Sequence, residues 1–272
     1  MTDSRALVVL PCYNERENIE RLLRDIFALD LDLDLLVIDD NSPDGTGTAA
    51  EAMRARHPRL FVMHREGKLG LGTAYRAGFH HGLDHGYANV ITMDADFSHQ
   101  PRYLLDLVGL GAAADMVIGS RYTRGGGAEG WPLKRKIISG AANALARTVL
   151  GVTSRDCTSG YRCYSRQALV TIDPDTVLSS GYSFLVEMLY RVERSGLVVR
   201  EVPIIFVDRE LGRSKIDRIE VYKTLYTLGR LRFPHLPWNA VANLGARTGE
   251  RNAALAFGLF AAGLWLLLRR KH

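Results

Sequence analysis

Val90-Ile91-Thr92-Met93-Asp94-Ala95-Asp96-Phe97-Ser98-His99 is the stretch on which the fold turns. Its first four residues are an apolar run that reads as a short buried strand. Asp94 and Asp96 follow just past the carboxyl end, where they share one exposed loop. In open α/β sheets that edge is where ligands bind. Two carboxylates so close repel unless something positive lies between them, and a hard divalent cation carrying a diphosphate meets that need. An Asp-x-Asp alone describes a solvated turn equally well, so its weight comes from what surrounds it.

Outward from this stretch, strand-like and helical runs alternate. Ala6–Leu10, Leu35–Ile38, Leu60–Met63, Val90–Met93 and Met116–Ile118 read as strands, and Glu17–Leu29, Thr46–Arg56, Thr73–Leu83 and Arg102–Leu110 as helices. Such alternation implies a mainly parallel sheet with right-handed crossovers. Residues 123–130 are glycine-rich and read as a flexible loop. A helix over Leu133–Val149, a polar turn at 153–160, a helix at 182–194, a strand at 198–207 and an amphipathic helix over Ile216–Phe233 complete the reading. There is no internal repeat and no low-complexity tract.

Two other strand ends carry polar groups. Leu-Pro-Cys-Tyr-Asn-Glu (10–15) follows the first strand, with Pro11 expected to stop it and Asn14 placed to cap the next helix. Asp39-Asp40-Asn41-Ser42-Pro43-Asp44-Gly45-Thr46 follows the second, and an acidic side chain there accepts hydrogen bonds from a base or ribose, or closes a solvated turn. Three consecutive strand ends thus offer polar groups to one crevice. Cations complement them: Arg121 after the fifth strand, Lys134, Arg135 and Lys136 opening the next helix with Ser139 beyond, and Arg209, Arg213 and Lys215 after the late strand. Each alone is a solvated charge; together they supply phosphate-binding groups. Lys68-Leu-Gly-Leu-Gly-Thr73 is not a full phosphate loop, and His80, His81, His85 and His99 read as surface or satisfied histidines.

With 272 residues, 47% hydrophobic and 24% charged, the chain suits one large α/β domain, or one domain plus an appendage, and is not disordered. Its net charge of +5 suits a polyanionic small substrate or an anionic lipid. Nucleic acid is disfavoured, because the basic residues are not interleaved with aromatics in one stripe. Cys12, Cys157 and Cys163 match no zinc spacing and read as reduced buried thiols. Met1–Arg5 is too polar for a signal peptide. Ala253–Leu268 holds no charged side chain and is followed by Arg269-Arg270-Lys271. Sixteen helical residues span roughly 24 Å, short of the ~30 Å hydrocarbon core. The segment reads as a short membrane anchor, apolar all round rather than on one stripe.

In order and spacing these motifs resemble the polyprenol-phosphate (dolichol-phosphate) mannose synthases, inverting transferases of glycosyltransferase family 2. The resemblance runs from Ala6 to Phe233. It rests on LPCYNERENI (10–19), IDDNSPDGT (38–46), KLGLGTAYRAG (68–78), MDADFSHQP (93–101), GSRY (119–122), GWPLKRKIIS (130–139), EVPIIFVDR (201–209) and GRSK (212–215). It implies a GT-A, Rossmann-like, mainly parallel sheet flanked by helices, followed by a C-terminal amphipathic helix and a short anchor helix. The corresponding divisions are a catalytic domain at 1–233, an interfacial linker at 234–252 and the anchor at 253–268. It further implies that Pro11, Tyr13, Glu15, Ile38 and Asp40 hold the guanosine part of GDP-mannose. Asp94, Ala95 and Asp96 would meet the diphosphate and its metal, Mg2+ or Mn2+. Some relatives carry Gln where Ser98 stands, so Ser98 or a water would complete the metal shell. Arg121, Arg209 and Lys215 would contact donor or acceptor phosphates, and Arg135 and Ser139 the lipid phosphate.

The expected reaction is attack of a polyprenyl-phosphate oxygen on the anomeric carbon of GDP-mannose, with inversion, by an enzyme bound to the cytoplasmic face of a membrane. A homo-oligomer or a membrane partner subunit is compatible with this reading. The nearest rival is a polyprenol-phosphate glucosyltransferase using UDP-glucose. A non-catalytic nucleotide-sugar-binding subunit would have lost metal carboxylates or acceptor cations, and Asp94, Asp96, Arg121 and Arg135 are all present. No Gly-x-Gly-x-x-Gly follows the first strand, which disfavours a dinucleotide oxidoreductase.

Overall fold

The computed structural model describes residues 3–208, 218–236 and 238. Two compact units divide after Ser214.

The first unit is built on a seven-stranded sheet. Its strands are β1 (Asp3–Cys12), β2 (Leu33–Asp39), β3 (Leu60–His64), β4 (Tyr87–Thr92), β5 (Met116–Ser120), β7 (Arg162–Ser165) and β8 (Val199–Pro203), in the order β3-β2-β1-β4-β7-β5-β8. β1 and β2 are near-continuous apolar runs because a parallel strand covered on both faces has no polar side. Ala6 to Leu10 and Leu35 to Ile38 are all buried. β1 pairs in parallel with β2 (Val8 beside Leu35) and with β4 (Val8 beside Ile91). Chain order therefore reverses between β1 and β4, and a crevice opens at their carboxyl ends.

Helices α1 (Arg16–Phe27), α2 (Thr46–Arg54), α3 (Leu71–Asp84) and α4 (Leu104–Gly111, preceded by a single 3-10 turn at Pro101–Tyr103) follow the first four strands. α1 buries Ile19, Leu22, Leu23 and Ile26, a three-four spacing that makes one apolar stripe. α3 lies close against the sheet: a Cβ on Gly78 would fall 2.5 Å from Val9 Cγ1, and one on Gly82 2.4 Å from Val90 Cγ2. α5 (Leu133–Leu150), α6 (Arg166–Ile172) and α7 (Tyr182–Arg194) follow.

Several expectations are corrected. Pro11 does not end the first strand: it pairs with Ile38, and β1 runs to Cys12. Asn14 is not a helix cap, since its φ of 61° is left-handed and Glu15 precedes the helix. The expected loop at 123–130 contains β6 (Gly127–Glu129), and the expected strand at 198–207 is two. Pro203 ends β8, and β9 (Ile205–Val207) pairs in parallel with β6 in a separate ribbon. β7 and α6 have no counterpart in the sequence reading, and β7 is antiparallel to both β4 and β5. The three cysteines are free and buried, as expected.

In the second unit α8 (Arg218–Arg232) confirms the expected helix. Trp238 closes back on it, donating its indole N–H to the Phe233 carbonyl at 2.7 Å and meeting Tyr226 edge-on at 5.4 Å. Among the described residues no helix is long and apolar enough to cross a membrane. The expected anchor at 253–268 lies outside them, as do Arg209, Arg213 and Lys215.

Candidate active site

The loops after β1 and β2 lock together. Backbone N–H groups of Asn14, Glu15 and Arg16, left over at the start of α1, donate to Ser42 Oγ, Thr46 Oγ1 and Asp44 Oδ2 at 3.1, 2.9 and 3.0 Å. Burial on its own would raise the Asp44 carboxyl, but hydrogen bonds from Thr46 and the Arg16 N–H hold it below its ordinary value. The side chains expected to meet a nucleoside are set from this platform. Asp40 is held by Arg65, whose Nε donates to Oδ1 at 2.6 Å while Nη1 reaches Thr73 Oγ1 at 2.8 Å. Tyr13 is exposed, with the Lys68 ammonium 4.3 Å from its ring centroid. Glu15 accepts from the Asn18 amide at 2.8 Å, Pro11 is partly covered, and Ile38 is wholly inside the sheet.

Asp94 follows β4 and is half-buried, with the Tyr75 hydroxyl 3.4 Å from Oδ1. Asp96 is buried, contrary to the fully exposed loop expected. Its Oδ1 accepts the Ser98 N–H at 3.0 Å and the Ser98 O–H at 2.5 Å, closing a tight turn in which Phe97 has a φ of 60°. Ser98 therefore orients Asp96, and the two aspartates are the hard oxygen ligands this loop offers. Among the described residues no group of three or more His, Cys, Asp or Glu could hold a metal ion. Asp94 and Asp96 would hold a divalent cation here only together with ligands from outside the protein. Gly160 keeps the space beside Asp94 open: a Cβ there would lie 3.0 Å from the Tyr75 oxygen and 3.6 Å from Asp94 Oδ1.

His99 is buried against this loop, stacked on Tyr161 at 4.9 Å. Its Nδ1 accepts the Asp94 N–H at 3.0 Å. An imidazole accepting at Nδ1 is neutral there, so the 3.7 Å approach to the Asp94 carboxylate is not an ion pair. Burial pushes the imidazole below its ordinary value, against the pull of Asp94 and Asp96, and Arg121 adds to the downward shift.

Arg121 leaves β5 and is gripped by Asp156, Nε to Oδ2 at 2.8 Å and Nη2 to Oδ1 at 2.7 Å, with Nη2 also on Thr158 Oγ1 at 2.7 Å. Three of its five N–H groups are thereby engaged, and the two on Nη1 have no hydrogen-bond partner among the described residues. Burial alone would lower the guanidinium's affinity for its proton, but the Asp156 carboxylate outweighs it and holds Arg121 above its ordinary value. The guanidinium sits among the rings of Tyr122, Trp131 and Phe206, at 5.5, 5.5 and 5.6 Å. Phe206 also meets His99 edge-on at 5.6 Å, so the carboxylate loop and the cation share one wall. Arg135, in the first turn of α5, lies 4.2 Å over Trp131 and donates to Asp208 at 2.7 Å. Ser139, one turn on, accepts from the Tyr122 hydroxyl at 2.7 Å.

Sequence reasoning missed the groups that hold these side chains. Asp156 accepts six donors in all, adding the backbone N–H groups of Arg121, Thr158 and Ser159 and the Thr158 hydroxyl. Its loop is fixed from outside by Glu193 under Thr153 and Ser154, Glu201 under Arg155 and Asp156, and Asn143 under Cys157. The Asp-x-Thr-Ser at 156–159 is a self-capping turn pattern and was the one available signal. Arg65 and Asp40 are 25 residues apart, and nothing local pairs them.

Residues 7–173 match the family model "Glycosyl transferase family 2". The chain is 44% identical over 224 residues to the polyprenol monophosphomannose synthase of Mycolicibacterium smegmatis, covering 82% of this chain and 84% of that one. It is 46% identical over 213 residues to the undecaprenyl-phosphate mannosyltransferase of Micrococcus luteus, covering 78% and 88%. The fold resembles glucosyl-3-phosphoglycerate synthase from Mycobacterium tuberculosis, solved with Mn2+, UDP and glucosyl-3-phosphoglycerate (TM-score 0.61, 23% identity, 84% of this chain and 80% of that one). It also resembles a mannosyltransferase from Pyrobaculum calidifontis in complex with GDP-Man and Mn2+ (TM-score 0.54, 18% identity, 97% and 80%). These structural likenesses confirm the GT-A fold with its mainly parallel sheet and flanking helices. With the family match spanning the carboxylate loop and both strand-end platforms, this chain belongs to glycosyl transferase family 2.

Proposed function

We propose that this protein transfers mannose from GDP-mannose to a polyprenyl phosphate, with inversion, at the cytoplasmic face of a membrane. The curated relatives' names support the acceptor and the sugar. The observation that carries the reading is the placement of Arg121, with two N–H groups uncommitted among the described residues, and Arg135 on the wall shared with the Asp94–Asp96 loop. One crevice thus has a cation-bridging acidic side and a cationic side built for a second anion.

A phosphate monoester with a second pKa near 6 is already ionised at neutral pH and needs no strong base. His99 fits that economy, being neutral and committed to a backbone N–H. The protein's task is to bring two anions together. Arg121 and Arg135 neutralise and orient the acceptor, and Ser139 adds a hydroxyl that Tyr122 positions. Arg209 and Lys215 lie outside the described residues, and their proposed contact with donor or acceptor phosphates rests on the motif resemblance alone. Asp94 and Asp96 would hold Mg2+ or Mn2+, which would supply charge to stabilise a departing diphosphate; both metals occur in fold relatives. Tyr13 with Lys68, and Asp40 fixed by Arg65, would meet the base and ribose.

The lipid side is supported by α5. Leu133 and Ile137 are 73% and 61% exposed, Ile138 and Leu145 are exposed on the same side of the helix, and Lys134 lies among them. An outward apolar face carrying basic charge suits the lipid interface. The test is mannose transfer from labelled GDP-mannose to a polyprenyl phosphate, read in the lipid extract with and without chelator.

A further inference from the structure

Trp131 lies between the two arginines assigned to the acceptor. Its ring is 4.2 Å from the Arg135 guanidinium and 5.5 Å from that of Arg121, and Phe206 meets it edge-on at 5.4 Å. The residue is nine-tenths buried, and its indole Nε1–H has no hydrogen-bond partner among the described residues. Buried indole N–H groups ordinarily find an acceptor, and an orphaned one weakens the fold. The chain is shaped to put the ring there. Gly130 has a φ of 75°, and a Cβ on it would fall 3.1 Å from Cβ of Asp208, the carboxylate that holds Arg135.

We propose that Trp131 is a substrate-binding residue whose indole N–H donates to the acceptor's phosphate, while its ring sets the spacing of the two guanidiniums. This rests on the polyprenyl-phosphate reading. A ligand group flanked by two guanidiniums is an anion, and a phosphate monoester has three terminal oxygens, one for each of Arg121, Arg135 and Trp131. The donor's diphosphate belongs to the Asp94–Asp96 side, so loss of this N–H bears on the acceptor alone.

Trp131→Phe keeps an aromatic face and removes the donor. Replacement of Trp131 by benzothienylalanine keeps the bicyclic shape and removes only the N–H. A hydrogen bond to a charged group corresponds to about ten- to a hundredfold in binding. Both replacements should raise the KM for polyprenyl phosphate by that order and leave the KM for GDP-mannose unchanged. The melting temperature of the benzothienylalanine protein should be equal to or above wild type, because an unsatisfied buried donor is gone. An unchanged acceptor KM in that protein overturns the inference, as does a parallel rise in both KM values with a lowered melting temperature, which marks a structural role. Wild-type protein that does not use polyprenyl phosphate at all overturns the functional reading and this inference with it. Active wild type with an unaffected replacement removes this inference alone.

Discussion

Asp156 shows how a single buried carboxylate sets a functional cation. It is fully buried, and burial alone would raise its pKa, but Arg121 and the surrounding N–H groups hold it below the ordinary carboxylate value. Asp156→Asn should leave Arg121 buried without its counter-charge and cost about 3–5 kcal/mol, measured by denaturant unfolding. A carboxyl whose folded value lies below its unfolded value stabilises above the unfolded pKa and loses that contribution as pH falls through the folded one. Wild type should therefore lose stability below about pH 4 more steeply than the Asn variant does. At Asp96 the same care is needed, because Oδ1 also closes the Ser98 turn. Asp96→Asn should cut turnover on the order of a thousandfold or more by weakening the metal site. Near-wild-type turnover in that variant would remove Asp96 as a metal ligand.

At the scale of elements, α5 joins two tasks. Asn143, Ala146, Val149 and Leu150 bury its C-terminal half, while the N-terminal half carries Arg135 and Ser139 inward and Leu133 and Ile137 outward. Leu133→Asp with Ile137→Asp should weaken co-sedimentation with anionic lipid vesicles and leave the melting temperature unchanged, since neither side chain is packed. Unchanged vesicle binding would detach this helix from the membrane. Legibility also divides by element. β1, β2, β4 and β5 could be read because both faces are covered and the runs are apolar. β7 could not: its four residues, Arg162 to Ser165, include an arginine with no exposure, paid for by carbonyl oxygens of Leu185 and Cys157 at 2.6 and 2.8 Å. β6 is only Gly-Ala-Glu, and its pairing with β9 is a tertiary event that no local pattern announces.

For the whole molecule, the candidate site side chains were legible and their supports were not. Asp94, Asp96, Arg121 and Arg135 stand at strand ends or a helix start, and topology sends those places to one edge of the sheet. Arg65 and Asp156 act through partners that only folding brings near: 25 residues separate Arg65 from Asp40 and 35 separate Arg121 from Asp156. We propose that one crevice brings a sugar nucleotide and its metal to an ionised lipid phosphate. The most direct test offers purified protein labelled GDP-mannose or UDP-glucose with a polyprenyl phosphate, with Mg2+ or with chelator. The expected result is metal-dependent appearance of labelled mannose in the lipid product and little transfer from UDP-glucose. Glucose transfer in preference to mannose, or mannose transfer undiminished by chelator, would contradict it.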